Sequence, residues 1–446
     1  MARLVTCGFE IGFAAGSPEA TLEATVSGTD PSRDTSVFRS GVASVKFDTS
    51  VAATQVVNPL KQAAALGTSV IYAASQTSFT RCYFRFDTTP TSNTEIMGVA
   101  GIRSGTQGVS VILKTTGVLA LQNNVTGAQI GSDSAAVALD GSVWYRVEVK
   151  IIRNASNQIT DVELRLEGTT VATSSGLTLA STTTLSVGHI TSPGSSKVMY
   201  SDDCAVNDST GTSNTSWPGD GKIYLLIPIS DNARVGWTNA AAGTTNLFND
   251  VDNTHPLGVA SPTTQPSQIK RSAANTTDTY DANLTSYTTA GIASGDTLNA
   301  ICILGDHAYS AAAVASCGFQ MLSNPVISEF TTSTDGSAAS TSGFHWAGGG
   351  KTVDYSGTVG SNVTVGTSPV LRVRKNTSSS SRTQYCDFMG ALVDYTPAVV
   401  AATYQPRHGF VNAGATAVLM ERARGAWHRR RSGIFVPDLW LPNPVG

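Results

Sequence analysis

The run Trp144-Tyr145-Arg146-Val147-Glu148-Val149-Lys150 places Arg146, Glu148 and Lys150 on one face of an extended chain and Tyr145, Val147 and Val149 on the other. A side-chain period of two with one wet face is the pattern of a half-buried antiparallel strand. The following run repeats it, with Asp161, Glu163, Arg165 and Glu167 outward and Val162, Leu164 and Leu166 inward, across a connection containing Asn154 to Asn157. Two such runs joined by polar turn formers predict a hairpin. A slip of one residue would turn every apolar side chain to the wrong face, so the register is strongly specified.

Working outward, similar short runs cover residues 4–10, 44–48, 80–86, 95–102, 109–114 and 118–123, separated by Gly, Ser, Asn and Asp. They resume at 222–228, 297–304, 326–331, 362–365, 369–374 and 384–393. Residues 51–66 allow a short helix with Pro59 in its first turn, and the Ala-rich stretch 307–317 allows either a short helix or a strand. Charged residues are only 14% of the 446, about half the usual share, while hydrophobic residues reach 41%. Such a chain can fill cores but cannot build long amphipathic helices with charged outer faces. The expected fold is all-β, two antiparallel β-sandwich domains in series followed by a C-terminal tail.

The turn-rich segment at 207–221 marks the junction between them. The expected domains are 1–217, 218–400 and a tail, 401–446. The two sandwiches also share a weak repetition, a late strand closing near acidic residues at 199–204 and again at 385–394. In the tail, Arg422, Arg424, Arg429, Arg430 and Arg431 fall within ten residues, ahead of an apolar end that includes Phe435 and Trp440. Arg and aromatic residues dominate interface hot spots, so the tail reads as a docking element. A nucleic-acid arm would interleave stacking aromatics with the arginines, and Trp427 stands nearly alone.

The net charge of -3 supplies no basic field for nucleic acid or anionic membrane. No stretch has the roughly 18 apolar residues of a membrane span, and Met1 to Phe9 has no apolar core of signal-peptide length. Folding in a cytoplasm is expected, with Cys7, Cys82, Cys204, Cys302, Cys317 and Cys386 as buried free thiols, since no paired spacing suggests zinc.

Catalytic constellations are sparse. A glycosidase needs two carboxylates about 5–9.5 Å apart, and the candidates are Glu163 with Glu167 or Asp202 with Asp203. The first pair reads as a solvated sheet face and the second as turn chemistry, so no enzyme is expected. Gly348-Gly349-Gly350-Lys351-Thr352 lacks the leading glycine of a phosphate loop and precedes a strand-like run. Asp202, Asp203, Asn207 and Asp208 form an oxygen-rich set of the kind calcium prefers. The preferred reading is that they cap turns through their own backbone. No cofactor is expected.

The stretch Tyr200-Ser201-Asp202-Asp203-Cys204-Ala205-Val206-Asn207-Asp208-Ser209-Thr210-Gly211, followed by Asn214 and Trp217-Pro218-Gly219-Asp220-Gly221-Lys222-Ile223, resembles a signature of phage and prophage virion proteins. Those proteins carry a concanavalin A-like, or laminin G-like, jelly roll. Gly8-Phe9-Glu10-Ile11-Gly12 and the hairpin beginning at Trp144 resemble the same family, in which the opening strand pairs late in the sandwich. Leu226-Ile227-Pro228 with Asp231 and Trp237 resembles its continuation into a second β domain. The resemblance implies a structural virion component, a minor tail or fibre protein, that assembles as a homo-oligomer with other virion proteins and touches host-surface glycans. The alternatives are a capsid decoration protein and, in another class, a free lectin or glycoside hydrolase.

Overall fold

Trp144–Arg153 and Ile159–Leu166 pair antiparallel, with Val149 opposite Leu164 and Ile151 opposite Val162. The structure, a computed structural model, describes residues 3–11, 23–28, 31–61, 71–239, 246–251, 269–271, 278–309, 316–333, 345–361, 363–375 and 384–398. Val147, Val149, Val162 and Leu164 are buried in the core, with Tyr145 and Leu166 packed against its margin. Each fully buried aliphatic side chain contributes about 1.5–3 kcal/mol, which is what holds this register. At the turn, the Asn154 side chain accepts the Ser156 and Gln158 amides at 2.9 and 3.0 Å, and Asn157 takes the left-handed conformation, φ 60°.

The fold is all-β. An eight-stranded sheet runs Thr169–Ser174, Ile159–Leu166, Trp144–Arg153, Thr77–Phe86, Val198–Asp208, Ser44–Asp48, Ser32–Asp34, with Arg3–Cys7 also paired to Val198–Asp208. Facing it is a seven-stranded sheet, Gln129–Ile130, Leu119–Asn123, Val109–Leu113, Thr94–Val99, Leu185–His189, Gln55–Pro59, Ala24–Gly28. Both sheets supply the same apolar core. The second pair has six strands (Thr238–Asn239, Ile269–Arg271, Gln384–Thr396, Thr297–Tyr309, His345–Thr358, with Lys222–Leu226 on Gln384–Thr396) and five (Pro228–Arg234, Thr279–Leu284, Val370–Lys375, Ser316–Ser323, Ile327–Ser333). They share a second core around Trp237, Tyr280, Phe319 and Met389. In both sandwiches the opening strand pairs with the last one. Every pairing between these strands is antiparallel, and among the described residues the only helical pieces are two 3-10 turns, Arg103–Gly105 and Leu247–Asp250. No helix of the described residues is long and apolar enough to cross a membrane.

Several expectations are corrected. Gln55–Pro59 is a strand, not part of a helix: β-branched Val56 and Val57 sit within it, and its edges pair with Ala24–Gly28 and Leu185–His189. The stretch at 307–317 is strand on both sides of residues 310–315, which lie outside the described residues. Residues 363–365 are not a strand: the chain bends at 363 and turns at 365–366, with the Thr364 amide donating to Asn324 Oδ1 at 2.6 Å, and residue 362 lies outside the described residues. Cys82 and Cys204 are paired as a disulfide across neighbouring strands, while Cys7, Cys302, Cys317 and Cys386 are free and buried. The register shift between Asp202 and Ala205 brings the Cα atoms of Cys82 and Cys204 to 4.2 Å, just below the usual span of about 4.4–6.8 Å for bridged pairs.

The outer face of the hairpin is not fully wet either. Glu148 is buried and accepts the Gly219 amide at 3.1 Å. Trp217 packs edge-on against Phe79, ring centroids 5.3 Å apart, beneath the Arg165 guanidinium at 3.9 Å. The segment expected as a junction therefore lies across the eight-stranded sheet. Residues 399–446, including Arg422, Arg424, Arg429, Arg430, Arg431, Phe435 and Trp440, lie outside the described residues.

Candidate functional site

The residues that carry the sequence signature gather at the seam between the sandwiches. Arg3, in the opening strand, is fully buried; its guanidinium is ion-paired with Asp394 of the second sandwich and donates to Asn207 Oδ1 at 2.6 Å. Arg81 reaches the same Asp394 oxygen at 3.0 Å, and Asn299 donates to the other oxygen at 2.8 Å. Burial alone would raise the Asp394 carboxyl, but the charges of Arg3 and Arg81 and the Asn299 bond hold it below the ordinary range. Gly221 permits this approach, because a Cβ there would overlap Arg81 Nη1 and Asp394 Oδ1.

Asp203 lies beside this triad. It accepts Arg39 Nη1 at 2.6 Å, Ser40 Oγ at 2.6 Å and the Ile223 amide at 2.7 Å. Arg39 also donates to Asp220 at 2.6 Å and stacks 3.4 Å over the Tyr83 ring. Asp202 accepts the Arg39 amide at 2.8 Å and the Asp203 amide at 2.7 Å. Burial first, and then the Asp203 charge, push its carboxyl well up. Buried Glu10 behaves alike, raised by burial and then by Asp202, with its Oε2 accepting the Val42 amide at 2.8 Å. Asn214 donates to Asn299 O at 2.7 Å and Asp354 Oδ1 at 3.2 Å, both in the second sandwich. A small apolar cluster of Ile11, Ile223, Leu225, Cys302, Leu304, Phe388 and Leu392 fills the same seam.

The four residues considered for calcium do not converge. Asp202 and Asp203 hold the 39–40 loop, Asn207 bridges Arg3 and Ser216 O, and Asp208 accepts the Thr210 amide at 2.8 Å and its hydroxyl at 2.7 Å. Among the described residues no group of three or more His, Cys, Asp or Glu side chains is placed to hold a metal. The other carboxylate pair is engaged by the protein as well. Glu167 sits in the turn after the strand Ile159–Leu166, at φ 54°, and its Oε1 accepts the Arg146 amide at 2.6 Å. Burial would raise Glu163, but bonds from Lys150, Arg165 and Thr170 bring it down to about 2, the wrong direction for a general acid.

A different place is open to solvent. Val111, Leu113, Leu119 and Leu121 face the core, so the alternation turns Lys114 and Gln122 to the outer face of the seven-stranded sheet. There they line, with Asn93, Arg103, Gln129 and Thr191, a groove of about 340 Å³. Arg103 sits on the 3-10 turn that overhangs this face, and its backbone amide donates to buried Glu95, 3.2 Å from Oε1. Lys114 Nζ donates to Gln129 Oε1 at 2.8 Å and Asp133 at 2.7 Å. The sequence reading singled out none of these residues, since a Lys or Gln on the outer face of a strand looks the same whether or not a groove forms over it.

No protein-family model matches the chain, and no curated protein matches it. Solved structures superpose weakly. A cellulose-induced protein, Cip1, is 15% identical, covering 48% of this chain and 99% of its own, with a TM-score of 0.33. A carbohydrate esterase from the Shiga toxin-encoding bacteriophage phi24B is 14% identical, covering 45% and 98%, at 0.31. The tandem CBM22 domains of Paenibacillus barcinonensis Xyn10C are 8% identical, covering 88% and 97%, at 0.24. At this level of superposition none of them assigns the chain an activity or a ligand.

Proposed function

We propose that the chain is a non-catalytic structural and adhesive component of a tailed-phage particle, a minor tail or fibre protein that touches host-surface glycans through the groove on its seven-stranded sheet. The observation that carries this reading is the use to which the signature residues are put. Asp203, Asn207, Asn214, Asp220 and Gly221, which resemble the virion signature, serve to lock one sandwich to the next or sit directly beside that lock. Buried charge pairs contribute little net stability against an apolar replacement, but breaking one is costly, so their use suits a protein whose two halves must hold a set geometry. The carboxylates weighed for hydrolysis are engaged by protein donors, which supports a role without catalysis.

In this reading the protein works as a homo-oligomer among other virion proteins, and the tail is the docking element. Arg422, Arg424, Arg429, Arg430 and Arg431 pair with carboxylates of the particle while Phe435 and Trp440 bury there. Deleting residues 422–446 is expected to leave the melting temperature unchanged and to abolish incorporation into particles. Normal incorporation of the truncated protein would end the docking role. Electron microscopy of particles labelled on this protein is expected to show density at the tail; density over the capsid would assign it to head decoration instead.

A further inference from the structure

The hydrogen-bonding inventory of the groove is lopsided. Asn93 Oδ1 already accepts the Thr115 amide at 3.1 Å, Thr191 Oγ1 accepts the Glu95 amide at 2.8 Å, and Gln129 Oε1 accepts Lys114 Nζ at 2.8 Å. The accepting oxygens of these three side chains each hold one protein donor, and Gln122 Oε1 receives none among the described residues. The donors are less committed. The guanidinium of exposed Arg103 makes no ion pair or hydrogen bond among the described residues. Lys114 retains one ammonium proton beyond its two bonds, the Asn93 amide nitrogen retains both of its own, and the Thr191 hydroxyl proton remains to be given. Gln122 Nε2 gives one proton to Gly127 O at 2.7 Å and keeps the other.

Gly127 is part of the groove lining. Its φ is +74°, and a Cβ there would point between Gln122 Nε2, 3.8 Å away, and Arg103 Nη2, 4.0 Å away. Those two nitrogens therefore flank an unfilled space. Among the described residues the groove lining contains no aromatic ring on which the apolar face of a neutral sugar could stack. The carboxyl close beneath, Glu95, is buried, which pushes it up, while bonds from Ser110 and the Arg103 amide and the charge of the Arg103 guanidinium pull it down. Asp133 is matched by Lys114.

A guanidinium without an ion pair, flanked by further free donors, and the lack of a stacking platform together favour an anion over a neutral polyol. The planar fork of a guanidinium matches the two oxygens of a carboxylate. The volume lies at the small end of ligand clefts, which run about 300–1,000 Å³. We infer that the groove binds an acidic saccharide, with the carboxylate of a uronic-acid unit seated on Arg103 and flanked by Gln122, and the ring hydroxyl oxygens accepting from Asn93, Lys114 and Thr191. This rests on the reading of the groove as a glycan site and adds the class of glycan.

The test is titration calorimetry of the full chain with oligogalacturonate, with its methyl ester, which keeps the ring and removes the charge, and with a sulfated galactan. Oligogalacturonate is expected to bind at least tenfold more tightly than the ester. Arg103→Gln is expected to cost at least tenfold in that affinity and Arg103→Lys less, with unchanged melting temperatures. Equal binding of acid and ester, lost on changing Asn93 or Gln122, would overturn the acidic class and leave the groove as a glycan site. Binding of the sulfated galactan alone would assign the anion to sulfate and overturn the carboxylate. Binding of none of the three, or binding indifferent to Arg103→Gln, would overturn both the class and the groove's role for these ligands.

Discussion

The Arg3 guanidinium and the Asp394 carboxylate, 391 residues apart in the chain, form an ion pair in which both side chains are completely buried. Arg81 shares the same carboxylate, so two cations from the first sandwich converge on one anion of the second. Removing the anion strands both. Asp394→Ala is therefore expected to destabilise the protein by about 3–5 kcal/mol, read as a fall in the urea midpoint. A loss under 1 kcal/mol would mean that water reaches the seam and solvates the two guanidinium groups.

Gly221→Ala should show a similar defect by a different route. The added methyl overlaps Arg81 Nη1 and Asp394 Oδ1, so the triad must open or the chain at residue 221 must shift. A cost of about 1–3 kcal/mol is expected, as for overpacking of a filled site, and combined with Asp394→Ala the two losses should add to less than their sum, because they damage one network. Full additivity would sink the argument.

Stability should depend on pH with a maximum in mildly acidic solution. Burial raises the Glu10, Glu23 and Asp202 carboxyls, with the charge of Asp202 adding for Glu10 and that of Asp203 for Asp202. Unfolded carboxyls titrate near pH 4. Above that the folded state holds protons that the unfolded chain has released, so stability falls as pH rises towards the folded values. Asp394 and Glu163 act oppositely, for their folded values are depressed and Glu163 lies at about 2. Their contribution is present above about pH 4 and is lost as pH falls through the folded values. Urea midpoints measured across pH should peak near about pH 4–5, and Glu10→Gln should flatten the decline on the alkaline side. A midpoint that climbs steadily to neutrality would contradict the buried acid cluster.

Thiol titration tests the pairing of Cys82 with Cys204. The denatured, unreduced protein is expected to react at four thiols, those of Cys7, Cys302, Cys317 and Cys386, and at six after reduction. Because the bond closes a long loop, with 122 residues of sequence separation, replacing both cysteines by serine should cost about 2–5 kcal/mol. Six reactive thiols before reduction would rule the bond out.

Trp217→Ala should uncover part of the eight-stranded sheet. The ring contact with Phe79 and the Arg165 guanidinium above it contribute about 1–2 kcal/mol together. The expected result is a loss of that size in urea unfolding, with quicker proteolysis between residues 209 and 221. An unchanged midpoint and digestion pattern would mean that this segment rests on the sheet without holding it.

The sequence alone determined the hairpin of Trp144–Arg153 and Ile159–Leu166 and the apolar side that each of its strands buries. Val147, Val149, Val162 and Leu164 are core residues because alternation along one strand is local information, and only one face of that strand is apolar enough to leave water. The late pairing of the opening strand was expected from the resemblance at residues 8–12 and the hairpin beginning at Trp144, and Arg3–Cys7 pairs with Val198–Asp208. What charge does once the chain is folded was not legible. Glu148 belongs to an alternating polar face and yet is buried, because a segment some 70 residues later covers it with the Gly219 amide. Asp202 and Asp203 look like turn or calcium ligands until Arg39, Ser40 and Ile223 arrive from two other stretches of chain. The groove exists only because Asn93, Arg103, Lys114, Gln122, Gln129 and Thr191 come together from different strands and loops. An apolar residue is driven inward whatever it meets there, so its fate can be read from its neighbours in sequence. A charged or amide side chain leaves water only for a specific partner, and the tertiary structure alone decides which partner arrives.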